Sequence, residues 1–271
     1  MPLLRRLRHE VAKSSVRTPL VWIRHKSLKA SDVFFASYPR SGSTWLRFLL
    51  YDSLLGESSG FSSVNQAIPD VKFHKAGLPL MPGAGRLIKT HEIFHPEYRK
   101  AVYLVRDPRD VALSEYAYQT ALGLVDLDLD PYLQKFVTQG VNPFASWRVH
   151  VESWLSAPLD REQLLILRFE DLRADPLKAV VQVAKFLGLN SNEDRIRQAI
   201  ANNTVEKMRA KEKATPQRAS ARGRFIRSGS VGGWRGTLNE AQVQLFRQHA
   251  REPLERMAYP LDAAPVETVT A

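Results

Sequence analysis

Four short apolar runs, each broken by a turn signal and set between helical stretches, constrain this chain more than any other feature. They are DVFFAS at residues 32–37, RLIKTH at 86–91, KAVYLV at 100–105 and LLILRF at 164–169. The first stops at Tyr38-Pro39 and gives way to a helical stretch, 44–55, with Gly56 as its stop. The third meets Asp107, a helix cap, and Pro108, which suits a first helical position. Strands alternating with helices predict a parallel sheet with right-handed crossovers. Ligands of such sheets bind beyond the strands' carboxyl ends. Arg40, Lys89, His91 and Arg106 each fall at or just after a strand end, so the topology alone predicts that they meet.

The expected architecture is α/β, a single domain with a central parallel β-sheet flanked by helices. A length of 271 residues with 44% hydrophobic content supports a substantial core. The absence of cysteine excludes disulfides, thiolate metal sites and cysteine nucleophiles. No apolar run approaches the roughly 18 residues that span a bilayer, and TPLVWI is too short for a secretory leader. The net charge of +11 is uneven: residues 1–30 hold eight Lys and Arg against one acid, and residues 207–235 hold nine against one. The remainder is nearly balanced, which argues against a nucleic-acid coat and for two local positive zones.

The expected organisation is a basic N-terminal arm at 1–30, a catalytic unit at 31–259 and a disordered tail at 260–271. In the arm, Leu3, Leu4, Leu7 and Val11 stand at helical spacing among arginines. That reads as a membrane-surface or partner-binding helix, a helix packed on the domain, or a mitochondrial presequence. Residues 57–85 read as loop with one short helix, and 122–142 as an irregular acidic loop over a site. Helices are expected at 143–155, 176–187, 192–201, 205–213 and 239–258.

Four stretches carry chemistry. In YPRSGSTW, residues 38–45, backbone N–H groups from Ser41, Gly42, Ser43 and Thr44 open into a helix N-terminus, a geometry that holds an anion. Arg40 adds a full positive charge; the alternative is an ordinary strand–turn–helix joint. No lysine follows the glycine, which argues against an NTPase. In IKTH, Lys89 and His91 are two apart and share one strand face. An ammonium can stabilise charge on a transferring group, and a neutral imidazole can take a proton from a hydroxyl. A lone histidine is more often structural, as expected for His74, His95 and His150. In VRDPRDVALS, Arg106 and Ser114 suit a second phosphate; the alternative is an Arg–Asp surface pair and a helix serine on a polar face. RFIRSGSVGGWRG, with Gly229, Gly232 and Gly233 among Arg224, Arg227 and Arg235, reads as a flexible basic flap or a solvated loop.

Together these segments resemble the sulfotransferases that use 3′-phosphoadenosine 5′-phosphosulfate (PAPS). YPRSGSTW is similar to the family's phosphosulfate loop YPKSGTTW, a P-loop-like element, and KTH to its Lys-Thr-His. RDPRDVALSEYAY, RFEDLRADP and RSGSVGGWRG are similar to its RNPKDVAVSYYHF, YEDMKENP and RKGxxGDWK. The order matches from residue 32 to 236, most of the chain. The resemblance implies that Ser41 to Thr44 hold the 5′-phosphate, Trp45 and Phe169 contact adenine, and Arg106 and Ser114 hold the 3′-phosphate. It implies that Arg227, Ser228 and Gly229 close on that phosphate, Arg40 and Lys89 stabilise the sulfuryl group, and His91 is the base. Arg40 replaces the family's lysine, Ser228 a lysine and Gly233 an aspartate.

The implied reaction is direct in-line sulfuryl transfer to a hydroxyl or amine, releasing adenosine 3′,5′-bisphosphate (PAP), with no metal. The acceptor is expected to be a small molecule or a glycolipid, with no nucleic acid partner and no oligomeric state readable. The expected location is cytoplasmic, with peripheral membrane contact through residues 1–30 left open. Two other readings compete: a P-loop-type small-molecule kinase, and a non-catalytic basic module for membrane or nucleic acid.

Overall fold

The structure is a computed structural model that describes residues 17–55, 59–215, 226 and 229–262. Strands β1 (Val33–Ser37), β2 (Leu87–Thr90), β3 (Ala101–Val105) and β4 (Leu164–Arg168) form one parallel sheet in the order β2-β1-β3-β4. Every residue of β1 and β3 is buried, as a central strand covered by helices on both faces requires. The two-residue period divides them between two cores. Phe34, Ala36, Tyr103 and Val105 meet Trp147, Trp154 and Phe246 on one face. Phe35, Val102 and Leu104 meet Leu46, Leu49 and Val180 on the other.

Helices follow the strands as the caps dictate: α1 (Arg17–His25), α2 (Ser43–Leu55), α3 (Phe61–Ala67), α4 (Pro108–Ala121), α5 (Leu129–Thr138) and α6 (Trp147–Leu155). After β4 come α7 (Phe169–Ala174), α8 (Pro176–Leu187), α9 (Glu193–Asn202), α10 (Val205–Lys213) and α11 (Glu240–Arg256). Asp107 accepts from the Arg109 N–H with Pro108 at the first turn of α4, and Gly188 ends α8 with φ 70°. The expected architecture is therefore present.

Two regions are more ordered than the sequence suggests. The stretch expected to be an irregular acidic loop contains α5, which buries Tyr132, Leu133, Phe136 and Val137. Asp128 precedes α5 and Asp130 lies in its first turn, so the acids that suggested a loop suit the positive end of a helix. Residues 59–85 contain α3 and two 3-10 turns, Val71–Ala76 and Pro82–Ala84. Of the basic N-terminal stretch, residues 1–16 lie outside the described residues; α1 packs on the domain. His25 Nε2 lies 2.6 Å from Tyr98 Oη, and His74 Nε2 lies 3.1 Å from the Lys26 carbonyl.

Candidate active site

A cavity of about 660 Å³ opens at the carboxyl ends of the strands. Arg40, Lys89, His91 and Arg106, from three strand ends, all line it. So do Gly42, Ser43, Thr44 and Trp45 of the first loop, and Ser114, Phe169 and Gly229 from farther along the chain. Arg227 and Ser228 lie outside the described residues.

The first loop is bent by two left-handed residues, Arg40 at φ 68° and Gly42 at φ 92°. A Cβ on Gly42 would stand 2.4 Å from two ring atoms of Phe169, so glycine is required by both conformation and space. Phe169 is only 3% exposed, and the Arg106 guanidinium lies 4.6 Å from its ring centroid. The ring thus supports the loop from below more than it offers a face to the cavity. Ser43 and Thr44 begin α2, so their N–H groups belong to the first turn, where intrahelical acceptors are missing. Ser41 is fully buried beneath the loop; its N–H donates to the Tyr38 carbonyl at 3.3 Å and its Oγ has no hydrogen-bond partner.

Arg106 crosses the site. It donates to the Arg40 carbonyl at 3.0 Å and the Ser230 carbonyl at 2.9 Å, while its buried Nε lacks a partner. Arg40 in turn donates from Nε to Ser114 Oγ at 3.2 Å. The glycine-rich segment is held at Ser230, Gly232 and Trp234. Asp110 accepts from the Gly232 N–H at 2.8 Å and the Trp234 N–H at 3.1 Å. Trp234 is fully buried against Arg109, which is itself fixed by Asp107 at 2.7 Å.

His91 is oriented by the neighbouring strand β1. Its Nδ1 lies 2.6 Å from the Ser37 carbonyl, so Nδ1 carries the proton and Nε2 is left with the lone pair. Burial and the neighbouring Lys89 hold the imidazole well below its usual 6.5, against the raising effects of Ser37 and Asp70. His150 donates from Nε2 to the His91 carbonyl at 3.1 Å and lies 3.0 Å from Tyr103 Oη through Nδ1. Burial lowers it to about 3, the signature of a structural, neutral histidine. Lys89 Nζ sits 3.1 Å from Asp70 Oδ2. Burial lowers the ammonium, opposed by Asp70; burial raises Asp70, but Lys89 and His91 outweigh it and the carboxyl ends low.

Asp70 was not legible in the sequence, because it sits in a segment read as loop. Nor was the polar end of the cavity. Glu115 is buried and accepts from Gln119 Nε2 at 2.8 Å, and Asn142 faces it with a buried Nδ2 that lacks a partner of normal geometry. Burial raises the Glu115 carboxyl, moderated by Arg40, Gln119 and Asn142. Phe144 meets His91 edge-on at 5.5 Å, and Tyr118 and Phe73 complete an apolar wall. The one available signal was helical: Asp110, Ser114 and Tyr118 recur every four residues along one face of α4.

A doubly wound sheet with cations gathered at its carboxyl edge defines an α/β protein that takes an anionic ligand at that edge. Residues 30–258 match the family described as Sulfotransferase domain, and the chain belongs to that family. Sulfotransferase 1B1 of Mus musculus is 26% identical over 255 residues, covering 84% of each chain. Sulfotransferase 2B1 of Rattus norvegicus is 28% identical over 257 residues, covering 87% of this chain and 75% of its own. Among solved structures, mouse sulfotransferase SULT7A1 complexed with PAP superposes with a TM-score of 0.67 at 22% identity, covering 86% of this chain and 90% of its own. Retinol dehydratase in complex with androsterone and PAP superposes at 0.68 and 21% identity, covering 86% of this chain and 83% of its own. These two structures bear on the fold.

Proposed function

We propose that the cavity binds PAPS and that His91 is the general base for sulfuryl transfer to an acceptor hydroxyl or amine. The observation that carries this reading is the convergence of Arg40, Lys89, His91 and Arg106 on one cavity. The buried Arg106 Nε without a hydrogen-bond partner and the α2 N-terminus fit an anionic nucleotide. Ser43, Thr44 and the loop amides hold the 5′-phosphate, Arg106 and Ser114 the 3′-phosphate with Arg227 and Ser228, and Trp45 the base. Gly229 lets the flap approach. His91 Nε2 takes the acceptor proton as the acceptor oxygen or nitrogen bonds to sulfur. The bond from sulfur to the phosphate oxygen breaks, and its electron pair stays on that oxygen, where Lys89 and Arg40 offset the charge. PAP leaves. Asp70 positions Lys89. The acceptor lies between Phe73, Phe144 and Glu115, and is a small molecule or glycolipid; a cytoplasmic location goes with this reading.

Thermal-shift titration tests the assignment first. PAP should raise the midpoint by several degrees, and ATP with magnesium much less. Stabilisation by ATP-magnesium over PAP would favour the kinase reading, and none by either would favour the inert module. With PAPS present, an acceptor panel should then show the mass gain of one SO₃.

A further inference from the structure

Among the described residues, the three most exposed large apolar side chains are Phe73 at 63%, Trp22 at 62% and Ile23 at 56%. They are not scattered. Trp22 and Ile23 stand on α1, and Phe73 stands on the 3-10 turn Val71–Ala76, against which α1 packs, with His74 bonded to the carbonyl of Lys26 just past the helix end. Isolated exposed hydrophobics need no explanation, but three on adjoining elements do.

Charge surrounds them. Lys26 lies 4.4 Å from the Trp22 ring and Lys72 5.0 Å from the Phe73 ring. Neither α1 nor the 3-10 turn carries an acid, and none occurs between Glu10 and Asp32. The acids nearest in sequence are already engaged: Asp32 by Arg86, Asp70 by Lys89 and Glu92 by Arg24. Upstream, Arg5, Arg6, Arg8 and Lys13 extend the same bias in sequence.

Apolar and aromatic tips ringed by lysines suit a surface that is anionic at the headgroups and apolar just beneath. A soluble polyanion would use the lysines but leave the tryptophan, isoleucine and phenylalanine in water. We propose that α1 and the Val71–Ala76 turn dock on anionic bilayers, with Trp22, Ile23 and Phe73 entering the headgroup layer. Lys72 and Phe73 also line the catalytic cavity, so docking sets one wall of its acceptor end against the membrane. That consequence, an acceptor drawn from the bilayer, rests on the sulfuryl-transfer reading; docking itself does not.

The test is sedimentation of the full chain with vesicles of phosphatidylcholine alone and of equimolar phosphatidylcholine and phosphatidylserine. The chain should pellet with the anionic vesicles only. W22S/I23S should lower the bound fraction about tenfold, while its thermal shift with PAP stays that of the parent and shows an intact domain. Equal pelleting of parent and W22S/I23S would overturn the proposal, as would loss of binding only on deleting residues 1–16. Binding abolished by soluble polyphosphate regardless of Trp22 and Ile23 would overturn it too, and would assign a polyanion site. A PAP shift without vesicle binding refutes docking alone; vesicle binding without a PAP shift refutes the nucleotide reading alone.

Discussion

The two ends of the cavity are built by opposite means. At the proposed sulfuryl end each functional group is fixed within a few residues of a buried strand. His91 follows β2 and is held by the Ser37 carbonyl at the end of β1; Lys89 lies within β2; Arg40 and Arg106 follow β1 and β3. At the proposed acceptor end, Phe73, Glu115, Asn142 and Phe144 come from a 3-10 turn, a helix and a loop with no register in common. Chemistry shared across many acceptors needs a rigid frame, and acceptor choice needs walls that can change without disturbing it. Breaking the first end should therefore abolish turnover, whereas breaking the second should redirect it.

The largest effect belongs to His91→Ala, which should lower kcat by about 10²–10⁴-fold with PAP affinity retained, as loss of a general base predicts. A fall confined to KM would remove His91 from proton transfer. The pH profile sharpens the same point. The base must be neutral, and burial and Lys89 hold His91 well below 6.5, so the acid limb of kcat/KM should lie below that value, not at it. Because His91 and His150 are both depressed by burial, the unfolded chain binds more protons than the folded one as pH drops below 6.5. Stability should decline along that same slope.

Next comes Gly42→Ala. The substitution demands a left-handed alanine, costing about 1–2 kcal/mol, and drives a methyl into the Phe169 ring. PAP affinity should fall about ten- to hundredfold, read by calorimetry. F169A/G42A should regain part of it; no regain would mean that conformation alone sets the cost.

The same contrast explains what the sequence discloses. The sheet, its order of cations and the caps Asp107, Asp175 and Asn239 follow from local rules: two-residue periodicity in buried strands, and side chains that satisfy helix N–H groups. Asp70 and Asn142 obey no such rule, because long-range packing alone brings them to Lys89 and Glu115. Helix α5 was obscured by its own acids, since their helical use depends on where the helix begins. Asp110 likewise takes its role from long-range packing, which brings the N–H groups of Gly232 and Trp234 to its carboxylate.

The smallest effect should come from Glu115→Gln, which should spare or raise stability while weakening acceptor binding. Burial raises the Glu115 carboxyl, so near neutral pH the ionised group destabilises the fold, and that cost grows as pH rises above its unfolded value of 4.5. Glutamine keeps the shape and the oxygen that accepts from Gln119 but removes the charge, so Tm should hold or rise. If Glu115 and the neighbouring Asn142 hold a second polar group of the acceptor, KM for that acceptor should rise about three- to tenfold with kcat and PAP affinity unchanged. A lower Tm with an unaltered KM would instead make Glu115 a structural part of α4. A residue that weakens the fold and improves acceptor binding is what a site shaped by substrate choice should contain.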